Sequence, residues 1–226
     1  MSHIPKSAKI GNNVVIESNV KIGENVFIGH NTVILEGTQI GNNVEIGANS
    51  VLGIQAKGNS KMRKVNDSHK QLVIGNNVKI GNLVSIYLGS IISKDVFIGD
   101  HASIRENVSI NDGTIIGRAA IIELNSTIGK SCTIQTLTYI TGDTVLEDDV
   151  FIGPCVSMSN DKYMGKKEYK LKGPYIKKGA KIGNNSSLLP AITVGVNSII
   201  GAGSVVTKNL TDNGIFFGVP ARKKST

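Results

Sequence analysis

The sequence predicts an all-β chain wound as a parallel β-helix of triangular coils, and three observations carry that expectation. An aliphatic residue recurs every six positions along almost the whole chain. A second position, four residues after each aliphatic one, is held by small or β-branched residues. The segments between are rich in Asn and Gly, with 26 Gly, no Trp and 4% aromatic residues in total. A helix needs apolar spacing near 3.6 and an ordinary strand a spacing of 2, so a sustained beat of six fits neither; short strands joined by tight turns fit it.

The beat opens at Ile4 and runs through Ile10, Ile16, Ile22, Ile28, Ile34, Ile40 and Ile46 to Leu52. A first loop, residues 54–73, interrupts it. It resumes at Ile74 and holds from Ile80 through Ile104, Ile122 and Ile140 to Met158, where a second loop, residues 159–175, begins. A last run goes from Ile176 to Val206, followed by a short tail, residues 207–226. The three runs hold nine, fifteen and six hexads, each a multiple of three. Three hexads therefore close one coil, the thirty together make about ten coils, and both loops leave from the same edge of the prism. At about 4.8 Å per rung this is a rod of roughly 48 Å. We read residues 1–226 as one β-helix domain.

The second inward position reads Ala102, Val108, Thr114, Ala120, Ser126, Cys132, Thr138, Thr144, Val150 and Val156. Turns such as Gly11-Asn12-Asn13, Gly41-Asn42-Asn43, Gly75-Asn76-Asn77 and Gly183-Asn184-Asn185 use residues that accept positive φ at little steric cost.

The N-terminal segment has no apolar core of signal-peptide length and no stretch reaches a membrane span, which leads us to expect a cytoplasmic protein. Cys132 and Cys155 are too few for a disulfide framework and lack metal-ligand spacing, and the register makes Cys132 a small buried hydrophobe.

Residues eighteen apart stack, so the sequence can be written as columns. On the edge that emits both loops, one column reads Tyr87, Arg105, Glu123, Thr141, Ser159; the next Leu88, Glu106, Leu124, Gly142, Asn160; the third Gly89, Asn107, Asn125, Asp143, Asp161. Most hexads place Gly at the first of these positions, where Arg105 and Glu123 stand here. Either these two form a solvated ion pair of small energetic worth, or this corner holds an amine acceptor, with Glu123 or Asp161 taking its proton and Asn160 orienting it. His101, one of four histidines with His3, His30 and His69, is the other candidate base.

Charge concentrates on the same edge. Between residues 162 and 181 eight lysines (Lys162, Lys166, Lys167, Lys170, Lys172, Lys177, Lys178, Lys181) face Glu168 alone, a net +7 of the chain's +8. The first loop adds Lys57, Lys61, Arg63, Lys64 and Lys70 against Asp67. Two basic loops suit polyphosphates such as a nucleotide diphosphate and CoA. Nucleic acid is disfavoured, because Tyr163 and Tyr169 form no array of stacking aromatics and no nucleic-acid motif is present.

The hexad pattern resembles the hexapeptide-repeat acyltransferases, and the resemblance implies a left-handed coil. Gly201-Ala202-Gly203-Ser204-Val205-Val206-Thr207-Lys208, followed by Gly218-Val219-Pro220-Ala221-Arg222, is similar to the closing segment of the acetyl-CoA-dependent members. By that resemblance Gly183, Gly201, Ala202 and Ser204 would line the cofactor, backbone amides near Gly201 and Ala202 would meet its pantetheine, and Lys208 or Arg222 its phosphates. Asn-Leu-Thr-Asp after Lys208 departs from the common form, where Pro is frequent. Ile104-Arg105-Glu106-Asn107, Ile116-Gly117-Arg118, Ile122-Glu123 and Ser159-Asn160-Asp161-Lys162-Tyr163-Met164-Gly165 together resemble the branch acting on nucleotide-linked amino sugars. That resemblance implies Arg105, Glu106, Asn125, Lys162 and Tyr163 as substrate contacts, acetyl-CoA as cosubstrate without metal, and a homotrimer whose site lies between rods.

Three alternatives stand beside N-acetyl transfer to a UDP- or dTDP-linked amino sugar. An O-acetyltransferase would need His101 as an essential base. A zinc enzyme would need three converging histidines, and no pair has the spacing. A non-enzymatic solenoid would show regular Thr columns or a featureless face, which the two basic loops contradict.

Overall fold

A computed structural model describes residues 4–63 and 71–224; His3, His69, Lys64, Asp67 and Lys70 lie outside the described residues. Strands of mostly two residues follow one another around a triangular prism: Lys9–Ile10 on a first face, Val15–Ile16 on a second and Lys21–Ile22 on a third, after which the cycle repeats. The faces are parallel sheets of ten and nine strands for the second and third, and twelve for the first, whose last strand alone is antiparallel. The fold is a left-handed parallel β-helix.

The coil length is eighteen residues, as in Lys79↔Phe97, Ser103↔Ile121 and Ser109↔Thr127. Across the first loop the offset rises to 34 (Glu45↔Lys79) and across the second to 30 (Phe151↔Lys181) without disturbing the phase. Both loops depart from the corner between the second and third faces. The first is shorter than the sequence suggested: Val51–Ile54 is still strand and Leu72–Ile74 already is, leaving residues 55–71. The second runs from the end of Ser157–Met158 to Tyr175–Ile176.

The beat of six is the core. Ile28, Ile34, Ile46, Leu52, Ile86, Ile104, Ile122 and Ile140 are fully buried, each stacked on its equivalents above and below. Ile4 and Ile10 are exposed, because they belong to the N-terminal coil. The small inward residues are buried too, and their hydroxyls are matched to coil carbonyls: Thr114 Oγ1 donates to Gly129 O at 2.8 Å and accepts from Cys132 N at 3.0 Å. Cys132 follows the same pattern, and burial pushes its thiol up to about 11, so it is packing, not chemistry.

The tail is more structured than the hexad count implied. Ile215–Phe217 adds a further rung to the first face, with Ile199↔Ile215 sixteen apart instead of eighteen. Phe216 takes the inward place, and Arg222–Lys223 turns back antiparallel against this rung, closing the edge of the sheet. The departure after Lys208 is where the coil loses two residues. Among the described residues no helix is long and apolar enough to cross a membrane.

Candidate functional site

The corner between the second and third faces carries the columns read from the sequence. Strand pairing stacks Tyr87, Arg105, Glu123 and Thr141 at the ends of successive second-face strands. Its innermost charged residue is Glu106, 3% exposed. A carboxylate so buried must be paired, and Arg105 pairs it with a fork: Nε to Oε2 at 2.8 Å and Nη2 to Oε1 at 3.2 Å. The same guanidinium lies 4.9 Å over the Tyr87 ring and 3.8 Å from Glu123 Oε2. The expected solvated pair of Arg105 with Glu123 is therefore secondary, since the guanidinium is committed to Glu106. Burial works against the Arg105 cation, but the Glu106 and Glu123 carboxylates outweigh it and hold its pKa above the ordinary value. Glu123, half-buried, lies beside the Tyr139 phenol, whose pKa is raised by burial and by that carboxylate.

The third column forms a polar ladder. Asn107 Nδ2 donates to Asn125 Oδ1 at 3.3 Å, and Asn125 Nδ2 to Asp143 Oδ1 at 3.2 Å. Asn107, Asn125 and Asp143 all hold φ near +58°, the conformation in which Asn and Asp are tolerated best. Above them Asn160 Nδ2 donates to Gly142 O at 3.3 Å, and the Asn160 backbone carbonyl accepts from Lys172 N, tying the second loop to the ridge.

Asp161 behaves differently from the expectation of a base. Both its oxygens are occupied, accepting from Tyr163 N at 2.8 Å and Gly165 N at 2.7 Å. These backbone bonds hold its carboxyl below the usual range, which makes it a weak proton acceptor and a builder of the loop. Beyond it Tyr163 meets Tyr169 edge to face at 5.5 Å, with Lys167 3.9 Å and Lys162 5.9 Å from the Tyr163 ring. Lys177 and Lys178 pair with Asp212 and Asp149, so part of the basic run is neutralised.

The remaining expected residues lie elsewhere. His101 is exposed on the corner between the first and second faces, with φ +60°. Four residues of extended chain, roughly 13 Å, separate it from Arg105. Gly183, Gly201 and Ala202 share that first corner. The Gly201 amide donates to Phe216 O at 2.7 Å and the Gly183 amide to Ile200 O at 2.8 Å, so neither is available to a pantetheine. A Cβ on Gly183 would stand 2.5 Å from Ala202 N, which makes this glycine a requirement of coil stacking. Ser204 is buried, donates to Gly201 O and accepts from Gly218 N, and is withdrawn from any ligand. Ala202, Lys208 and Arg222 are exposed, Lys208 on the loop-bearing corner and Arg222 on the first face.

Two residues of the site were not singled out in the sequence. Arg63 of the first loop donates Nη1 and Nη2 to the two oxygens of Asp143 at 3.0 and 2.6 Å. Tyr139, on the outer side of the second face, flanks Glu123. Tyr139 is eighteen residues from Ile121 and could have been found by extending the columns outward; Arg63, on a loop outside the periodic pattern, could not.

Comparison with known proteins adds the following. The model for bacterial transferase hexapeptide (six repeats) matches residues 19–53, that for the GMPPB C-terminal domain residues 68–173, and that for the hexapeptide repeat of succinyl-transferase residues 176–208. A bifunctional protein GlmU of Alcanivorax borkumensis is 55% identical over 40 residues, 18% of this chain and 9% of that protein. A galactoside O-acetyltransferase of Lactococcus lactis is 32% identical over 88 residues, 36% of this chain and 42% of that one. A dTDP-3-amino-3,6-dideoxy-alpha-D-galactopyranose 3-N-acetyltransferase of Aneurinibacillus thermoaerophilus is 45% identical over 49 residues, 22% and 26% of the two chains. Each match spans less than half the length of the curated relative.

Proposed function

The chain belongs to the hexapeptide-repeat acyltransferase superfamily, and from that premise we propose that it transfers an acetyl group from acetyl-CoA to the amine of a UDP- or dTDP-linked sugar. The observation that carries this reading is the charge balance at the ridge. Two cations, Arg105 and Arg63, meet three carboxylates, Glu106, Asp143 and Glu123, which leaves one negative charge in excess; Glu123, 3.8 Å from Arg105 Nη1, is the carboxylate that no bidentate fork holds. A loosely paired carboxylate flanked by Tyr139, in a cluster one negative charge in excess, suits an ammonium group. The basic second loop beside it suits the diphosphate of the same molecule, and the A. thermoaerophilus relative supports a nucleotide-linked amino sugar.

In this mechanism the ammonium binds against Glu123, yields its proton to the carboxylate, and attacks the acetyl carbonyl carbon. The N–C bond forms as the C–S bond breaks, the second proton lost by the nitrogen passes to the departing CoA thiolate, and Glu123 releases the first to solvent. Asn160 orients the sugar, and Lys162 and Tyr163 meet its nucleotide. Glu123→Gln should lower kcat/KM by about 10²-fold or more with the fold intact; near-full turnover would remove Glu123 from the role.

We also propose that the chain acts as a homotrimer. Within one chain Ala202, the exposed member of the expected cofactor set on the first corner, stands away from the acceptor ridge, so a neighbouring copy is needed to bring cofactor and acceptor together. The first corner supports such packing. Its turn position holds Leu83, His101, Ala119, Leu137 and Cys155 in succession, all at φ between 53° and 60°. Leu83 is 49% and Leu137 59% exposed. Acetyl transfer to a hydroxyl is the second reading, supported by the L. lactis relative and by His101 standing on the same corner as the cofactor residues. Loss of activity in His101→Ala with Glu123→Gln unaffected would favour it.

A further inference from the structure

The first loop leaves the prism four rungs below Asp143, since the pairing runs from Val51–Ile54 through Ser85–Tyr87, Ser103–Ile104 and Ile121–Ile122 to Tyr139–Ile140. At about 4.8 Å per rung the loop covers roughly 19 Å along the ridge before Arg63 grips Asp143. We infer that Arg63 is a positioning residue of the acceptor site, a strap that holds residues 55–63 along the ridge so that the two basic loops wall a single groove over Glu123. This rests on the acetyl-transfer reading of that ridge.

Four observations converge on the strap. The pair is a bidentate fork, the geometry in which Arg gives direction as well as charge, and both side chains are largely covered, 31% and 26% exposed. The loop presents Arg63 from its own turn, where Lys61 N donates to Asn59 Oδ1 at 3.0 Å and Met62 N to Asn59 O at 3.1 Å. Asp143 is prepared from below, because Asn125 donates to one of its oxygens. The bond to Asp143 and the nearby Glu106 carboxylate, against the opposing effect of burial, hold the Arg63 pKa above its ordinary value, so the strap keeps its charge at any physiological pH. The periodic turn contacts reach only the adjacent coil, as Asn13 to Asn31 and Asn107 to Asn125, whereas this one spans four rungs. The fork uses two of the guanidinium's five N–H groups.

The test uses the full chain and two readouts. Lysine-specific proteolysis under native conditions, followed by mass spectrometry of the termini formed at Lys57 and Lys61, reports whether the loop is held. Arg63→Ala and Asp143→Ala should each accelerate cleavage about fivefold, and the exchanged pair Arg63→Asp/Asp143→Arg should return it toward the native rate. Steady-state kinetics should show the KM for the nucleotide-linked amino sugar raised about tenfold in the single variants and recovered in the exchanged pair, with the KM for acetyl-CoA unchanged. Cleavage rates unaltered in both single variants would overturn the strap. Faster cleavage with an unaltered acceptor KM would overturn its place in the acceptor site. Faster cleavage, reversed by the exchange, in a chain that acetylates no amino sugar would leave the strap standing and defeat the functional reading instead.

Discussion

Glu106 shows how much of this site is decided by a single buried carboxylate. It is covered by the coil and paired through two bonds with Arg105, so neither partner can be removed alone without leaving an uncompensated charge. Glu106→Gln is expected to destabilise the chain by about 2–3 kcal/mol in urea unfolding, whereas replacing both residues (Arg105→Met with Glu106→Leu) should recover most of that loss. The double variant should still transfer acetyl groups poorly, since Glu123 loses the Arg105 guanidinium that stands 3.8 Å from it. Retained activity in a stable double variant would show that the ion pair serves packing alone. In the sequence, Arg105 and Glu123 stood out because they replace Gly in a regular column. Glu106 was placed in the right column, but its burial was not legible, because whether an edge residue turns inward depends on the rotamer its neighbour imposes. The bonding of Asp161 was not legible for a related reason. Its loop amides lie two and four residues away, a local contact that a column diagram does not display.

At the level of the element, the turn is the unit that distinguishes one corner from another. On the corner between the third and first faces the positive-φ residues include Asn25, Asn43, Asn77, Asp95, Asp149 and Asn197, as steric cost demands. On the first corner Leu83, Ala119, Leu137 and Cys155 occupy that same conformation, which costs such residues roughly 1–2 kcal/mol each. A local rule broken in successive coils without a folding gain points to function. Leu137→Asn should therefore leave the isolated chain as stable or more stable to denaturant, while sedimentation shows weaker self-association. Unaltered assembly together with lower stability would contradict an interface role for this corner. The signal was present in the sequence, as turn positions eighteen apart that lack Asn, Asp and Gly, but the aliphatic beat drew the reading to the inside of the prism. The C-terminal rung was missed because its register slips from eighteen to sixteen, which ends the periodicity on which the hexad count relied.

For the whole molecule, function follows from stacking. Each coil touches its neighbours alone, so the rod is held by many similar rungs, and within each uninterrupted run a residue's position in space is fixed by its number modulo eighteen. That is why the fold, the shared corner of the two loops and the acceptor column could be read from spacing. It is equally why the reach of Arg63 across four rungs could not, since a loop outside the repeat has no such phase. The same arithmetic places Ala202 and the proposed acceptor ridge on different corners, and so makes assembly part of the proposed chemistry. The most direct measurement is a crystal structure of the chain with CoA and a UDP- or dTDP-linked amino sugar. The account expects the sugar amine within hydrogen-bond reach, about 2.6–3.2 Å, of a Glu123 carboxylate oxygen, with the diphosphate against the second loop and the CoA sulfur delivered from a neighbouring copy. An amine seated instead beside His101 on the first corner, with the Glu123 ridge empty, would contradict it.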